Sequence, residues 1–431
     1  MTYHVVEANY PFGFRKNDTK KLSTQINNRR NVVLIGMKRV GISNFLKYFL
    51  YHPGISEKYL NSNKHIFIPV DLNDLVEREI YPFWFLTFKR VADSVEKSSL
   101  PEKIKKRVEE YFLDSIQSQD LFLTIENLRK SLVFITESGF LPTIFFLRFD
   151  RIKDAITSDF FANFQGLIDA THRKLSYVFT SERTLDYLVP EVFTKQSVFV
   201  FADNLYVKSA EKQDIKIIFE SSIKEHGQNL KPDLVKELLK LVDGHTQYLL
   251  FALISISESE TQVNDKDLFE FLKNDERISL QSEELWESLN AKEQDILLKV
   301  INDESLSGEE IKNAVYLINT GFFDPKANKI FSPIFEYFVK SKLEERKKEK
   351  NAFELSKKEH LLLSFLEANK NEICEREKII EAVWPEAEEI GVTDWAIDRL
   401  IARLRAKMTN QEKDYEIVTV KTRGYKLIER E

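Results

Sequence analysis

The 431-residue sequence contains little cysteine, histidine, glycine or proline, and these shortages exclude several kinds of site. The single cysteine, Cys374, rules out a disulfide within the chain and a metal cluster built from several cysteines. None of the seven histidines lies four residues from another, so the sequence gives no support for a metal site. With 12 glycines and 11 prolines, most of the chain is predicted to be helix or strand.

Long apolar runs are also missing, since no stretch approaches the roughly 20 residues that cross a membrane as a helix. The segment from Met1 to His4 lacks the basic and apolar parts of a signal peptide. We therefore expect a cytoplasmic protein without membrane contact. Its length predicts about three domains. Its net charge of −6 argues against a surface that is basic throughout.

The first half of the sequence alternates continuous apolar stretches with amphipathic segments, a pattern typical of a parallel sheet covered by helices on both faces. Strands are predicted at 31–35, 65–70, 143–149, 175–180 and 198–201. The predicted domains are a P-loop NTPase-like α/β domain over 1–208, a helical lid over 209–280, a winged-helix-like unit over 281–340, a charged linker over 341–352 and a last domain over 353–431.

A glycine-containing loop follows the first predicted strand and opens a predicted helix. It reads Gly36-Met37-Lys38-Arg39-Val40-Gly41-Ile42-Ser43. In this context the pattern G-x-x-x-x-G-K-[ST] binds phosphates through backbone N–H groups. Ile42 stands at the lysine position and offers no charge to the β- and γ-phosphates. The glycines are explained equally well as residues of a tight strand-to-helix turn.

The strand that should deliver a Mg²⁺-binding acid is also altered. It ends in Leu147-Arg148-Phe149-Asp150, so Asp150 is the one acid left there. Because both catalytic motifs are changed independently, the sequence predicts a pseudo-ATPase that does not turn over ATP.

Three further motifs accompany the loop, namely Tyr10-Pro11-Phe12-Gly13-Phe14-Arg15, Thr180-Ser181-Glu182-Arg183 and Asp243-Gly244-His245-Thr246-Gln247-Tyr248-Leu249. Together with the loop they resemble the STAND/AAA+ class of ATPases over residues 8–340. The resemblance implies ATP or ADP with Mg²⁺ as a ligand and a homo-oligomer whose assembly depends on the nucleotide. The nucleotide-binding residues that it implies are Gly36, Arg39, Gly41, Ser43 and Asp150.

The last domain begins with a helix signal, since Ser356 and Glu359 have the spacing of a capping box. Residues 392–408 are predicted to form a helix, and residues 415–427 alternate like a β-hairpin. The apolar positions of that helix are Ile397, Ile401, Leu404 and Met408. Its basic residues are Arg399, Arg403, Arg405 and Lys407.

The stretches 376–380, 383–384, 401–408 and 419–426, taken in order, resemble the OmpR/PhoB-type winged helix. The resemblance implies that the helix enters the major groove of double-stranded DNA while the hairpin, or wing, contacts the minor groove or phosphates. The residues implied in DNA binding are Arg399, Arg403, Arg405, Lys407, Thr419, Lys421, Arg423 and Tyr425. Arg405 and Lys407 have a second interpretation as internal partners of acids such as Asp398.

Basic residues are concentrated on the elements that would face DNA. Residues 399–426 contain 8 Lys and Arg against 3 Asp and Glu, although 353–431 as a whole contains 14 against 17. Docking of the winged helix on a protein is the alternative, in which its arginines are merely solvated.

These observations predict a signal-responsive transcriptional regulator. A degenerate STAND/AAA+-like module would sense a ligand or a protein partner and would control the winged helix by dimerising or masking it. The alternative is a nucleotide-dependent switch or scaffold in defence or mobile-element biology. In that case the winged helix would contact protein, or DNA without sequence specificity.

Overall fold

The computed structural model describes residues 5–193, 200–226, 230–259, 263–349, 355–385, 393–410, 415–420 and 423–429. The chain divides into two compact units. Unit 1 comprises Met1–Gly227 with the short segments Gly244–Thr246 and Tyr316–Phe322, and unit 2 comprises the rest. Within the described residues, no helix combines the length and apolar character that a membrane crossing requires.

Unit 1 is built around a five-stranded sheet in the order β2-β3-β4-β1-β5, and every strand pairing in it is parallel. The strands are β1 (Asn31–Ile35), β2 (His65–Asp71), β3 (Leu141–Leu147), β4 (Ser176–Ser181) and β5 (Ala202–Tyr206). The helices of this region are α1 (Lys16–Asn27), α2 (Ile42–Tyr51), α3 (Gly54–Tyr59), α4 (Ile80–Glu96), α5 (Glu102–Ser118), α6 (Leu121–Glu137), α7 (Ser158–Ala170), α8 (Leu185–Leu188) and α9 (Lys212–His226). A parallel sheet with the glycine loop between β1 and α2 confirms the predicted P-loop NTPase-like fold class.

The core of unit 1 is unusually aromatic. Phe83 of α4 packs on Phe146 of β3 and on Phe164 of α7, with ring centroids 5.1 and 5.9 Å apart. Trp84 packs on Phe164 at 5.1 Å, and Phe146 contacts Phe164 at 5.5 Å. Rings at these separations pack edge-on or offset, which adds to the free energy of apolar burial. Much of the chain's phenylalanine therefore serves to fill the space between the sheet and its helices.

The fifth strand does not lie where the sequence placed it. Residues 200 and 201 end a helical segment and β5 begins at Ala202, whereas residues 198 and 199 of the predicted strand fall outside the described residues. Among the described strands, β5 pairs with β1 alone, and only its first residue, Ala202, is buried, so it needs no continuous apolar run. A search for fully apolar strands misses an edge strand for this reason.

The middle of the chain is mostly helical, as predicted, with one short hairpin. Its helices are α10 (Pro232–Val242), α11 (Thr246–Glu258), α12 (Leu268–Lys273), α13 (Glu276–Glu287), α14 (Ala291–Ile301), α15 (Gly308–Asn313), α16 (Val315–Thr320) and α17 (Pro333–Glu349). The hairpin strands are β6 (Phe323–Asp324) and β7 (Lys329–Ile330). Helix α17 continues through residue 349, so the segment predicted as a charged linker is helical over much of its length.

The C-terminal domain contains three helices and a three-stranded antiparallel sheet in the order β8-β10-β9. Its elements are α18 (Lys357–Ala368), β8 (Cys374–Glu375), α19 (Arg376–Val383), α20 (Asp394–Asn410), β9 (Tyr415–Val420) and β10 (Gly424–Glu429). The predicted capping box is present, because Ser356 accepts from the Glu359 N–H and Glu359 accepts from the Ser356 N–H. The four apolar positions predicted for α20 are all buried.

Candidate nucleic-acid interface and phosphate loop

Helix α20 presents a mixed face away from the core of the C-terminal domain. Ile397 and Ile401 are fully buried, and Arg399 lies two residues from each, which at 3.6 residues per turn places it on the opposite side of the helix. Ala402 and Ala406 lie on the same outward side and are exposed. The outward face of α20 thus carries Arg399, the small side chains of Ala402 and Ala406, and the half-buried Trp395, which lies one turn before Arg399.

Arg399 and Arg403, two of the residues of α20 predicted to bind DNA, share a face, and each forms an ion pair with a carboxylate of helix α13. The Arg399 Nη2 lies 2.8 Å from Glu287 Oε2. Arg403 donates from Nη1 to Glu283. The side chains of the two glutamates are only about one-seventh exposed, at 14% and 15%, so both carboxylates are largely withdrawn from water.

Arg405 of α20 forms hydrogen bonds with strand β9 of the wing. Its Nε donates to the Ile417 carbonyl at 2.8 Å, and its Nη2 donates to Thr419 Oγ1 at 2.9 Å. Thr419 itself is exposed on β9. Arg405 thus has partners within the domain, but the contacts described are a carbonyl and a hydroxyl rather than the acid that the sequence suggested.

Lys407 is also engaged inside the domain. Its Nζ lies 2.7 Å from Glu359 Oε2, and the Glu359 side chain is only 3% exposed. Burial raises the pKa of the Glu359 carboxyl, but the hydrogen bonds from Lys407 and Ser356 outweigh it and hold that pKa below its ordinary value. Lys407 therefore neutralises a buried acid in this structure, and its predicted contact with DNA stays a prediction.

Tyr425 was assigned to the wing surface, and the structure corrects this. Its side chain is buried at 3% exposure. Its hydroxyl donates to Asp398 and accepts from Arg376 Nη2 at 3.1 Å. Burial, reinforced by the Asp398 carboxylate, raises the pKa of Tyr425 to about 12. Side chains alternate along β10, so Tyr425 points to the same side as Leu427, and both are buried.

The tip of the wing is only partly described. Lys421 lies outside the described residues, whereas Arg423 is exposed at the turn before β10. Gly424 has φ +143°, and a Cβ added there would lie 2.1 Å from the Cys374 carbonyl oxygen. The backbone approach between β8 and β10 therefore requires glycine at this position.

In the phosphate loop, the structure gives both glycines a packing reason. A Cβ on Gly36 would lie 2.8 Å from the Val207 carbonyl oxygen. Gly41 has φ +106°, and a Cβ there would lie 2.4 Å from Thr246 Oγ1. The tight-turn explanation thus accounts for both residues, whatever the loop binds.

The carbonyl groups of this loop are fixed by buried side chains. The Lys38 carbonyl accepts from His245 Nε2 at 3.0 Å. The Val40 carbonyl accepts from Thr246 Oγ1 at 3.1 Å and from Arg15 Nη2 at 3.4 Å. His245 is fully buried, and this burial lowers its pKa to about 4, so the imidazole donates in its neutral form. His245 and Arg15 each belong to a motif in the sequence, but the contact of both with this loop is not apparent there.

A lysine that sequence analysis did not single out supplies positive charge beside the loop. Lys38 Nζ lies 3.6 Å from Glu182 Oε2, just past the end of β4. Asp150 lies in the short 3-10 segment that follows β3. Its pKa is raised by burial, and the nearby Lys38 charge opposes this shift. Arg39 and Ser43 are exposed on the same loop as Gly36 and Gly41.

The two remaining arginines of the altered motifs have structural partners. Arg148 forms an ion pair with Asp71 at the end of β2. Arg183 is 8% exposed, and its guanidinium carbon lies 4.8 and 3.6 Å from the ring centroids of Tyr187 and Tyr316. This stacking holds Arg183 in place by cation–π attraction.

Comparison with sequence families identifies the C-terminal domain. Residues 349–427 match the family described as "Transcriptional regulatory protein, C terminal", which confirms the predicted winged-helix type. A search of curated protein sequences finds no significant match to the chain.

Several solved structures are similar to the chain in fold. A Walker-type ATPase of Pyrococcus abyssi is 16% identical with a TM-score of 0.46, and the match covers 78% of this chain and 99% of that one. The ORC2 protein of Aeropyrum pernix, solved as ADPNP–ADP complexes, is 10% identical with a TM-score of 0.47 over 80% and 98%. The ORC1 protein of the same organism, solved in complex with DNA, is 13% identical with a TM-score of 0.41 over 98% and 90%.

Proposed function

We propose that this protein, which joins an ATPase-like module to the DNA-binding domain of a transcriptional regulator, is a signal-responsive regulator of transcription. The module would respond to a ligand or a protein partner and would control the winged helix by masking or dimerising it. The observation that carries the proposal is the position of Arg399. It lies opposite the buried face of α20, in a domain that matches transcriptional regulators.

The geometry of α20 suits a major groove. A helix with its side chains is about 10–12 Å across and the groove is about 12 Å wide, so one helix fits. Exposed Ala402 and Ala406 permit close approach and suit contact with thymine methyl groups. Arg399 is placed to donate to guanine or phosphate. Arg423, exposed on the wing, would contact the flanking backbone.

ATP or ADP with Mg²⁺ remains a proposed ligand of the phosphate loop, and the residues present fit it in part. In a planar trans peptide group, the C=O and the following N–H point in opposite directions. The Lys38 and Val40 carbonyls point toward His245 and Thr246, so the N–H groups of Arg39 and Gly41 point away from these side chains. Backbone N–H groups are what a phosphate cradle requires. Ile42 adds no charge, so a bound nucleotide would act as a structural ligand held by the loop, Ser43 and Asp150.

The first test is selection of DNA from a random pool by the full chain, with and without ATP and Mg²⁺. Recovery of a repeated half-site motif would establish a sequence-specific regulator. An effect of ATP on the recovery would show that the loop still binds nucleotide. Masking would also prevent recovery, so the selection is repeated with the Glu283→Gln/Glu287→Gln variant, which lacks the carboxylates paired with Arg403 and Arg399. Absence of enrichment by both proteins in both conditions would refute the proposal.

A variant pair then tests the interface itself. Arg423→Ala should weaken binding to the selected site and should lower the salt slope of log K by about 1, because one phosphate contact is lost. Lys357→Ala is the matched control, since Lys357 is an exposed cation at the first turn of α18 in the same domain. Equal loss in both variants would show that only overall charge matters.

One observation favours the second candidate function, a switch or scaffold. Arg399 and Arg403 both contact protein carboxylates, which is what a winged helix used for docking on protein would show. In that case the pool selection yields no motif, and the full chain binds duplexes of any sequence equally or not at all.

A further inference from the structure

Helix α13 carries an acidic stripe along one side. The stripe consists of Glu276, Leu280, Glu283 and Glu287, which follow one another at intervals of four, three and four residues. That spacing places all four on one face of the helix. Three carboxylates therefore line up along about three turns, with one apolar residue between them.

Every member of the stripe is engaged with the C-terminal domain, which belongs to the same compact unit. Glu287 and Glu283 pair with Arg399 and Arg403 of α20. Glu276 pairs with Lys358 of α18. Leu280 packs against the hydrophobic core of the C-terminal domain. The contact is thus a continuous polar–apolar surface rather than a single ion pair.

We propose that α13 competes with DNA for α20, its carboxylates taking the places of DNA phosphates. This inference rests on the proposed function and adds its regulation. The partners of Glu283 and Glu287 are the two arginines that the winged-helix motif assigns to DNA reading. The other basic side chains of α20, Arg405 and Lys407, are committed within the domain, so the stripe covers the cations that remain on the helix.

Covering α20 with another helix excludes it from the groove on size alone. A major groove about 12 Å wide admits one helix of about 10–12 Å, so a second helix held against Arg399 and Arg403 of α20 finds no space. DNA binding therefore requires α13 to leave α20, and a signal that separates them would permit binding.

The contact is built in a way that permits release. Among the described residues, neither the Arg399 nor the Arg403 Nε–H has a hydrogen-bond partner, although both are buried. The two arginine side chains are 37% and 30% exposed, so their pairs are partly screened by water. Phosphate oxygens can engage a guanidinium through two parallel hydrogen bonds, which would satisfy donors that α13 leaves unpaired.

The test compares the full chain with its Glu283→Gln/Glu287→Gln variant. Binding to a fluorescent duplex of about 30 base pairs, roughly three helical turns, is measured by anisotropy at low salt. We expect the variant to bind about 5- to 30-fold more tightly than the unmodified chain. Glu304→Gln/Glu309→Gln is the control, because it removes the same charge from exposed positions of unit 2 outside the stripe.

The outcomes separate the inference from the function on which it rests. Tighter binding by the stripe variant alone supports both. Equal binding by all three proteins overturns the competition and leaves DNA binding intact. Absence of binding by all three overturns both. Equal gains in the stripe variant and the control also overturn the competition, since overall charge then explains the effect.

Hydrogen exchange provides a second measurement that needs no substitution. Addition of the duplex to the unmodified chain should protect backbone amides of residues 394–408 and should expose those of 276–287. Protection of both segments together would contradict the competition, because α13 would then remain in place on the DNA complex.

Discussion

Replacement of Tyr425 by Phe separates a wing residue that contacts DNA from one that holds the domain together. The substitution keeps the buried ring and removes a hydroxyl that donates to Asp398 and accepts from Arg376. Hydrogen bonds to charged groups contribute about 1.5–3 kcal/mol. The Asp398 and Arg376 side chains are 52% and 31% exposed, so water replaces part of the lost bond. We expect a destabilisation of about 1.5 kcal/mol, at the low end of the range.

Hydrogen exchange of the full chain measures this effect locally. A loss of about 1.4 kcal/mol corresponds to a tenfold change, so amides of β9 and β10 should exchange about tenfold faster in the variant. Tyr415→Phe is the matched control on the same hairpin. Its hydroxyl accepts from Lys370 at 3.5 Å, and its removal should change exchange by less than about twofold. Unchanged exchange in Tyr425→Phe together with lost DNA affinity would refute the structural role.

The same residue predicts a dependence on high pH. The pKa of Tyr425 is about 12 in the folded chain, against an ordinary value of 10.0. The folded state therefore holds this proton more tightly than the unfolded state. Its contribution to stability is fully present below about pH 10 and is lost as the pH rises to about 12. The Phe variant should show no such loss in the hairpin.

Two further predictions concern backbone approach and buried imidazole. Gly424→Ala places a Cβ 2.1 Å from the Cys374 carbonyl oxygen at φ +143°. The β8–β10 pairing should therefore be destabilised by more than about 2 kcal/mol, and the amides of residues 374–376 should exchange faster. Gly308→Ala is the control, because its Cβ would meet nothing within 4 Å and should leave that exchange unchanged. The pKa of His245 and that of His65 are each about 4, below the ordinary 6.5, because burial disfavours the imidazolium. The contribution of each histidine to the free energy of unfolding is present above about pH 6.5 and is lost as the pH falls to about 4. His245→Gln should therefore remove about half of this acid-induced loss of stability, measured by urea denaturation at several pH values. An unchanged pH profile would contradict the burial of a neutral His245.

The C-terminal domain could be predicted closely because its signals are local. A capping box needs only Ser356 and Glu359 three residues apart, and the structure forms it. The period of Ile397, Ile401 and Leu404 fixes the buried side of α20 and therefore the outward position of Arg399. Alternation likewise located both strands of the wing.

Contacts between distant segments could not be read in the same way. Lys407 and Tyr425 were assigned to DNA from their place in a motif, yet their partners, Glu359 and Asp398, are set by how helices pack. A basic or aromatic residue looks alike in sequence whether it faces solvent or a buried acid. Lys38 is a residue whose position the motif does not predict. The motif expects a lysine at position 42, but the positive charge beside this loop comes from Lys38, four residues earlier.

The charge distribution explains why the proposed competition by α13 needs to cover only a few cations. The chain carries a net charge of −6, so long-range attraction does not bring it to DNA, and binding depends on a few cations close to the phosphates. Of the predicted basic contacts that the structure describes, Arg405 and Lys407 are used internally, which leaves the three arginines Arg399, Arg403 and Arg423. Two carboxylates on α13 occupy two of these three. Because each lost phosphate contact lowers both affinity and its salt dependence, we expect covering this pair to weaken DNA binding and to reduce its dependence on salt.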